Sequence, residues 1–208
     1  MKLYFAGGIS TPEVLYLDGD FGVLTAYLEV KNKKTLDFNG RDVLLDSSAF
    51  SVYTGRANVN VEEYGEHLLK NKQHFKIYAN LDVIGDAEST DKNQLYLESL
   101  GLNPLPTYHL GSDIYWLEKY IEKYDYIGLG GLVSISIRKN VLFAHLDRCF
   151  SLIMKKKPKL KIHGWGMTGQ DVVFRYPFYS VDSTSWLSGG KFNNLVNYNV
   201  LKLKNTMG

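Results

Sequence analysis

Cysteine is nearly absent from this chain of 208 residues: Cys149 is the only one. A single thiol excludes an intrachain disulfide framework and any multi-cysteine zinc or iron–sulfur site, and with them the three-cysteine cluster of a radical S-adenosylmethionine barrel. Its setting, Leu146-Asp147-Arg148-Cys149-Phe150, falls in an expected helix and suits a reduced core residue of a cytoplasmic protein. Long apolar runs are missing as well. None can span a bilayer, and the stretch in Met1-Lys2-Leu3-Tyr4-Phe5-Ala6-Gly7 is too short for a signal peptide, so a soluble, cytoplasmic protein without a membrane partner is expected. Neither sign of charge dominates. The formal net charge of +2 neither demands nor excludes a nucleic-acid partner. Two local basic runs, Lys31-Asn32-Lys33-Lys34 and Lys155-Lys156-Lys157-Pro158-Lys159-Leu160-Lys161, read as solvated helix ends and loops or as a phosphate-contacting surface. No low-complexity segment, repeat or linker interrupts the chain, and its 45% hydrophobic and 22% charged composition fits one domain, 1–208, with a full core.

What is present is a set of short apolar runs, three of which end in aspartate: Asp46, Asp82 and Asp182. Eight strand-like runs are expected: Leu3–Ala6, Val23–Tyr27, Val43–Leu45, Ile77–Leu81, Leu105–Tyr108, Tyr126–Leu129, Lys161–His163 and Tyr179–Val181. Apolar on both faces, they read as strands of a parallel sheet. Helical spacing falls between them over Val61–Lys72, Lys92–Leu100, Ile114–Tyr124 and Asn140–Lys156. Asn60 and Asp113 can cap two of these helices, and Gly101 can stop a third. Lys31–Arg41 reads as a loop. This alternation means an open doubly wound sheet or a closed (β/α)8 barrel. About eight units favour a compact single-domain TIM barrel with trimmed loops.

In such sheets ligands bind at the C-terminal strand ends, where a carboxylate is costly to desolvate without a partner or a task. In Asp46-Ser47-Ser48-Ala49-Phe50, the carboxylate and ring can hold a planar base, or Asp46 can be a helix cap and Phe50 a core residue. Asp82 points toward the rim and Asp86 caps or turns the next loop. An ionised carboxylate only accepts hydrogen bonds, which matches the N1–H and N2–H2 donors of a guanine edge. His109 can donate to a base carbonyl or phosphate, or serve as a structural hydrogen-bonder. Gly128-Leu129-Gly130-Gly131 lacks the dinucleotide fingerprint spacing but leaves backbone N–H groups accessible to a purine. His163-Gly164-Trp165-Gly166 again permits close approach. Asp182, in Val181-Asp182-Ser183-Thr184-Ser185-Trp186, can attack an anomeric carbon as retaining glycosidases do, or can cap a Ser/Thr-rich loop.

Taken in order, these strand ends resemble the tRNA-guanine transglycosylase superfamily. Asp46-Ser47-Ser48-Ala49-Phe50-Ser51 resembles its Asp-Ser-Gly-Gly-aromatic-Gln stretch, Gly130-Gly131-Leu132 its Gly-Gly-Leu, and His163-Gly164-Trp165-Gly166 its Met-Gly-Val-Gly; Asp182 lies where its nucleophile does. The match runs from Asp46 to Trp186, and the chain looks most like short phage-encoded homologues, including those linked to 7-deazaguanine modification of DNA. The resemblance implies that Asp182 attacks C1′ of a guanosine unit and that Asp46 is the general acid/base. It implies that Asp82 with Gly130 and Gly131 reads the base, that Phe50 stacks on it, and that His109, His163 and Gly164 line the pocket. Base exchange of this kind uses no redox cofactor. A lone Cys149 cannot build the family's zinc site, and its Pro-Thr-Arg after the nucleophile is replaced by Ser183-Thr184-Ser185-Trp186. Both departures favour DNA over tRNA as the polymer, with a 7-deazaguanine base as the small-molecule substrate. Competing readings are an N-glycosidase on the same scaffold and a non-catalytic nucleic-acid-binding homologue; the sequence leaves the oligomeric state open.

Overall fold

The structure, a computed structural model, describes residues 1–133, 136, 138–167 and 169–183. Its centre is an eight-stranded sheet of β1 (Lys2–Ala6), β2 (Gly22–Ala26), β3 (Val43–Asp46), β4 (Ile77–Tyr78), β5 (Thr107–His109), β6 (Tyr126–Gly130), β7 (Lys161–Gly164) and β8 (Ser180–Ser183). The strand order is β4-β3-β2-β1-β8-β7-β6-β5, and every ladder is parallel. All C-terminal strand ends therefore lie on one rim. The described helices are α1 (Tyr27–Val30), α2 (Ala49–Tyr53), α3 (Val61–Asn71), α4 (Ala87–Ser99), α5 (Ile114–Lys123), α6 (Lys139–Lys156) and α7 (Gln170–Val173).

Alternation along the strands divides their side chains between two surfaces. Val23, Val43 and Leu45 point outward into a cluster with Tyr64, Leu68 and Leu97 of α3 and α4. Ile127, Leu129, Ile162 and Val181 pack likewise against Leu117 and Ile121 of α5 and Leu146, Cys149 and Ile153 of α6. Each fully buried aliphatic side chain here contributes about 1.5–3 kcal/mol. Inward, Tyr4, Ala6, Leu24 and Leu44 make a smaller cluster with Ile77 and Trp165 packed against it.

The sheet curls, but no ladder joins its edge strands. β4 and β5 meet only at an isolated parallel bridge, Ala79–Leu105, where Asn80 N–H donates to the Leu105 carbonyl and Leu105 N–H to that of Tyr78. The expected barrel is thus met as far as an all-parallel curled sheet with surrounding helices. The fourth expected strand, Ile77–Leu81, is ordered as a strand only over Ile77–Tyr78. Beyond it Asn80 turns its side chain to the Thr90 carbonyl instead of continuing a strand.

Local capping chemistry sets the helix starts. Asn60 accepts from the N–H groups of Glu62 and Glu63, Asp86 from that of Ser89, and Asp113 from that of Tyr115. Gly101, at φ +74°, ends α4. The helix expected over Lys92–Leu100 begins earlier, at Ala87, because its first turns bury the polar Thr90, Asp91 and Gln94. Lys31–Arg41 contains neither helix nor strand apart from the turn that closes α1. No described helix is long and apolar enough to cross a membrane.

Candidate functional site

The three strand-end aspartates share one electrostatic environment. The Asp46 carboxyl is pushed up to about 6, first by burial and then by the charges of Asp182, Asp82 and Glu29, against the Ser48 N–H that favours its anion. Asp46 Oδ1 accepts from that N–H at 2.5 Å. Ser48, at the start of α2, holds φ +68°. Asp46 therefore makes an Asx-type turn at the helix entrance while its carboxyl remains coupled to its two neighbours.

Asp182 is held differently. Its Oδ1 lies 3.1 Å from His163 Nε2 and accepts from Gly166 N–H at 2.9 Å. His163 is fully buried, with Nδ1 2.7 Å from Ser180 Oγ, which in turn lies 2.5 Å from the Tyr126 hydroxyl. Sequence reasoning missed Ser180 and Tyr126. The signal for Ser180 is its position two residues before Asp182, which puts both on one face of β8. Tyr126 sits on β6, two strands away, and only its hydroxyl contact with Ser180 reveals it.

Asp82 lies just beyond β4 and bridges to β5. His109 Nε2 is 2.9 Å from its Oδ2, and Asn80 donates to Oδ1 at 3.2 Å. His109 Nδ1 is buried without a hydrogen-bond partner among the described residues. A cleft of about 350 Å³ opens beside Asp82, between Ala49 and Tyr53 of α2, Asn60 and Glu62 at the start of α3, and Asn93 of α4. That volume falls in the range of small-molecule sites.

The glycines serve packing as much as access. A Cβ on Gly130 would sit 2.8 Å from the His109 ring, and one on Gly128 2.4 Å from Trp165 Nε1. Trp165 fills that inner space and donates to Thr107 Oγ1 at 3.1 Å. Gly131 has φ +75° and lies against Leu110. Gly164 faces outward, where the Phe178 ring takes up the room its side chain would need. Phe50 is 61% exposed on α2 and is not a core residue. The run Thr184-Ser185-Trp186 lies outside the described residues.

The basic run Lys155–Lys161 belongs to the opposite end of the strands. Lys156 pairs with Glu118 and Glu122, Lys157 with Asp125, and Lys161 sits over the Tyr179 ring as β7 begins. Cys149 is buried and its thiol is pushed up to about 12 by that burial. Among the described residues no group of three or more His, Cys, Asp or Glu is placed to hold a metal ion. The rim can thus offer one carboxyl whose protonation is favoured by burial and by its acidic neighbours, one carboxyl against an imidazole and a backbone N–H, and one against a second imidazole. No family model matches the chain, and neither does any curated protein.

Proposed function

We propose that the chain is a guanine transglycosylase-like pentosyltransferase on a compact (β/α)8 barrel, exchanging guanine for a 7-deazaguanine in nucleic acid, DNA before tRNA. The observation that carries this reading is the unequal treatment of Asp46 and Asp182. Asp46, lifted to about 6, has the protonation suited to a general acid that protonates a departing base. Asp182, with one oxygen fixed against the His163 imidazole and the Gly166 N–H, is placed to attack C1′. The pentose C1′–N bond breaks as the aspartyl–C1′ bond forms, and the leaving guanine takes the proton from Asp46. The incoming base gives a proton back to Asp46 as it displaces the aspartyl ester, so no oxidant or reductant is needed. Asp82 and His109, with Gly130 and Gly131, form the base-reading wall, and Phe50 supplies an exposed ring at the mouth.

The test is mass spectrometry of nucleosides after wild type or Asp182→Asn is incubated with guanine-containing DNA or tRNA and a 7-deazaguanine base. A modified nucleoside in DNA that disappears in the variant is expected. Base release without incorporation would instead make the protein an N-glycosidase, and no change in either polymer would reject enzymatic action on nucleic acid.

A further inference from the structure

We infer that Tyr126, Ser180 and His163 form a buried donor chain that positions Asp182 and selects which of its oxygens attacks. This role rests on Asp182 being the nucleophile proposed above; the contacts themselves do not. Ser180 and Asp182 stand two apart on β8, and His163 is the register partner of Ser180 on β7. One imidazole therefore reaches both, through Nδ1 to Ser180 Oγ at 2.7 Å and Nε2 to Asp182 Oδ1 at 3.1 Å. The ring is hemmed in by Trp165 at 4.4 Å and Tyr4 at 6.3 Å between ring centres. Neither His163 nor Ser180 is exposed to solvent.

Counting protons fixes the direction. With a neutral imidazole protonated at Nε2, Tyr126 donates to Ser180, Ser180 donates to Nδ1, and Nε2–H donates to Asp182, so every proton is used. With the ring protonated at Nδ1, Nε2 presents a lone pair to Asp182, which must then carry a proton and cannot attack. That arrangement, like a doubly protonated ring, also leaves one hydroxyl proton without an acceptor among the described residues. A hydroxyl proton left over at the fully buried Ser180 is costly, one left over at the half-buried Tyr126 less so. This cost, together with the need for an ionised Asp182, selects the first state. Asp182 Oδ1 then holds two donors, from His163 and Gly166, while Oδ2 has none among the described residues and is the attacking atom. His163 acts through Asp182, as a positioning residue, and Tyr126 and Ser180 act through His163.

Nitrogen-15 NMR of the full chain with labelled histidine, near neutral pH and without substrate, reads the tautomer. Among five histidines, His163 is identified by the signals lost in His163→Gln or, should that variant not fold, by those that move in Ser180→Ala. A neutral ring protonated at Nε2 is expected; protonation at Nδ1, or at both nitrogens, overturns the chain. Kinetically, Tyr126→Phe and Ser180→Ala should each slow formation of the covalent intermediate about tenfold, the scale of one buried hydrogen bond, with base affinity unchanged. No slowing, or a parallel loss of affinity, overturns the positioning role. The two arms also separate the failures. An Nε2-protonated ring in a protein that forms no intermediate rejects the transglycosylase reading, whereas an Nδ1-protonated ring in one that exchanges bases rejects the chain alone.

Discussion

On the β7–β8 side of the rim, Asp182 meets an imidazole and a backbone N–H on one oxygen, with a serine and a tyrosine lined up behind the imidazole. On the β3–β4 side, Asp46 meets one N–H and faces two other carboxylates and Glu29. Both residues end a buried strand and both are largely buried. Position on the sheet does not decide what each can do; the number of donors against the number of nearby negative charges does. A neutralising substitution should therefore have opposite consequences on the two walls.

The largest contrast is expected for Asp182→Asn. It should slow covalent-intermediate formation by about four orders of magnitude, the scale of losing a nucleophile, with base binding retained. Rapid-quench trapping of the protein–pentose adduct checks this, and wild-type trapping in the variant would remove Asp182 from the chemistry. Asp46→Asn should do something else as well. A carboxyl whose folded pKa is raised to about 6 favours folding fully below its unfolded value near 3.8 and loses that contribution as pH rises through 6. Asparagine removes the cost of the buried anion, so the variant should exceed wild type by about 3 kcal/mol at pH 8 and nearly match it near pH 4. Urea unfolding at the two pH values measures the difference; a pH-independent offset would mean that Asp46 is not held near neutrality by its neighbours.

Asp82→Ala, on the same wall, should weaken guanine-type base binding by about 1–3 kcal/mol in calorimetry, through lost hydrogen bonds and an unpaired His109. Unchanged affinity would take Asp82 out of the pocket. The smallest effect belongs to β6. Gly130→Ala sets a Cβ 2.8 Å from the His109 ring and should cost about 1 kcal/mol of stability. The cost should shrink but not vanish when His109→Ala accompanies it, because Thr107 Cγ2 would lie 2.9 Å from the same Cβ; an unchanged cost would mean that the ring is not the obstacle.

Much of the frame is legible in the sequence because its causes are local. Strand runs, the caps at Asn60, Asp86 and Asp113, and the stop at Gly101 depend on neighbours a few residues away. The start of α4 is hidden because Thr90, Asp91 and Gln94 are buried where periodicity expects apolar residues. At the site, the aspartates announce themselves as charges closing apolar runs. Ser180 and Tyr126 do not, since a serine in a strand and a tyrosine opening another are ordinary until register sets Ser180 beside His163 and the Tyr126 hydroxyl reaches Ser180. Gly164 shows the converse: its small size suggests room for a ligand, and only the direction it faces reveals that Phe178 needs the space.

The bridge between β4 and β5 gives the rim a mechanical property. Among the described residues the Ala79–Leu105 bridge is the only backbone seam there, and the Asp82–His109 pair fastens the same two segments just above it. The group proposed to read the base is therefore also a latch on the ring of strands. Occupancy and closure become linked equilibria, so a base held at Asp82 should slow deuterium uptake first at the amides of Asn80 and Leu105.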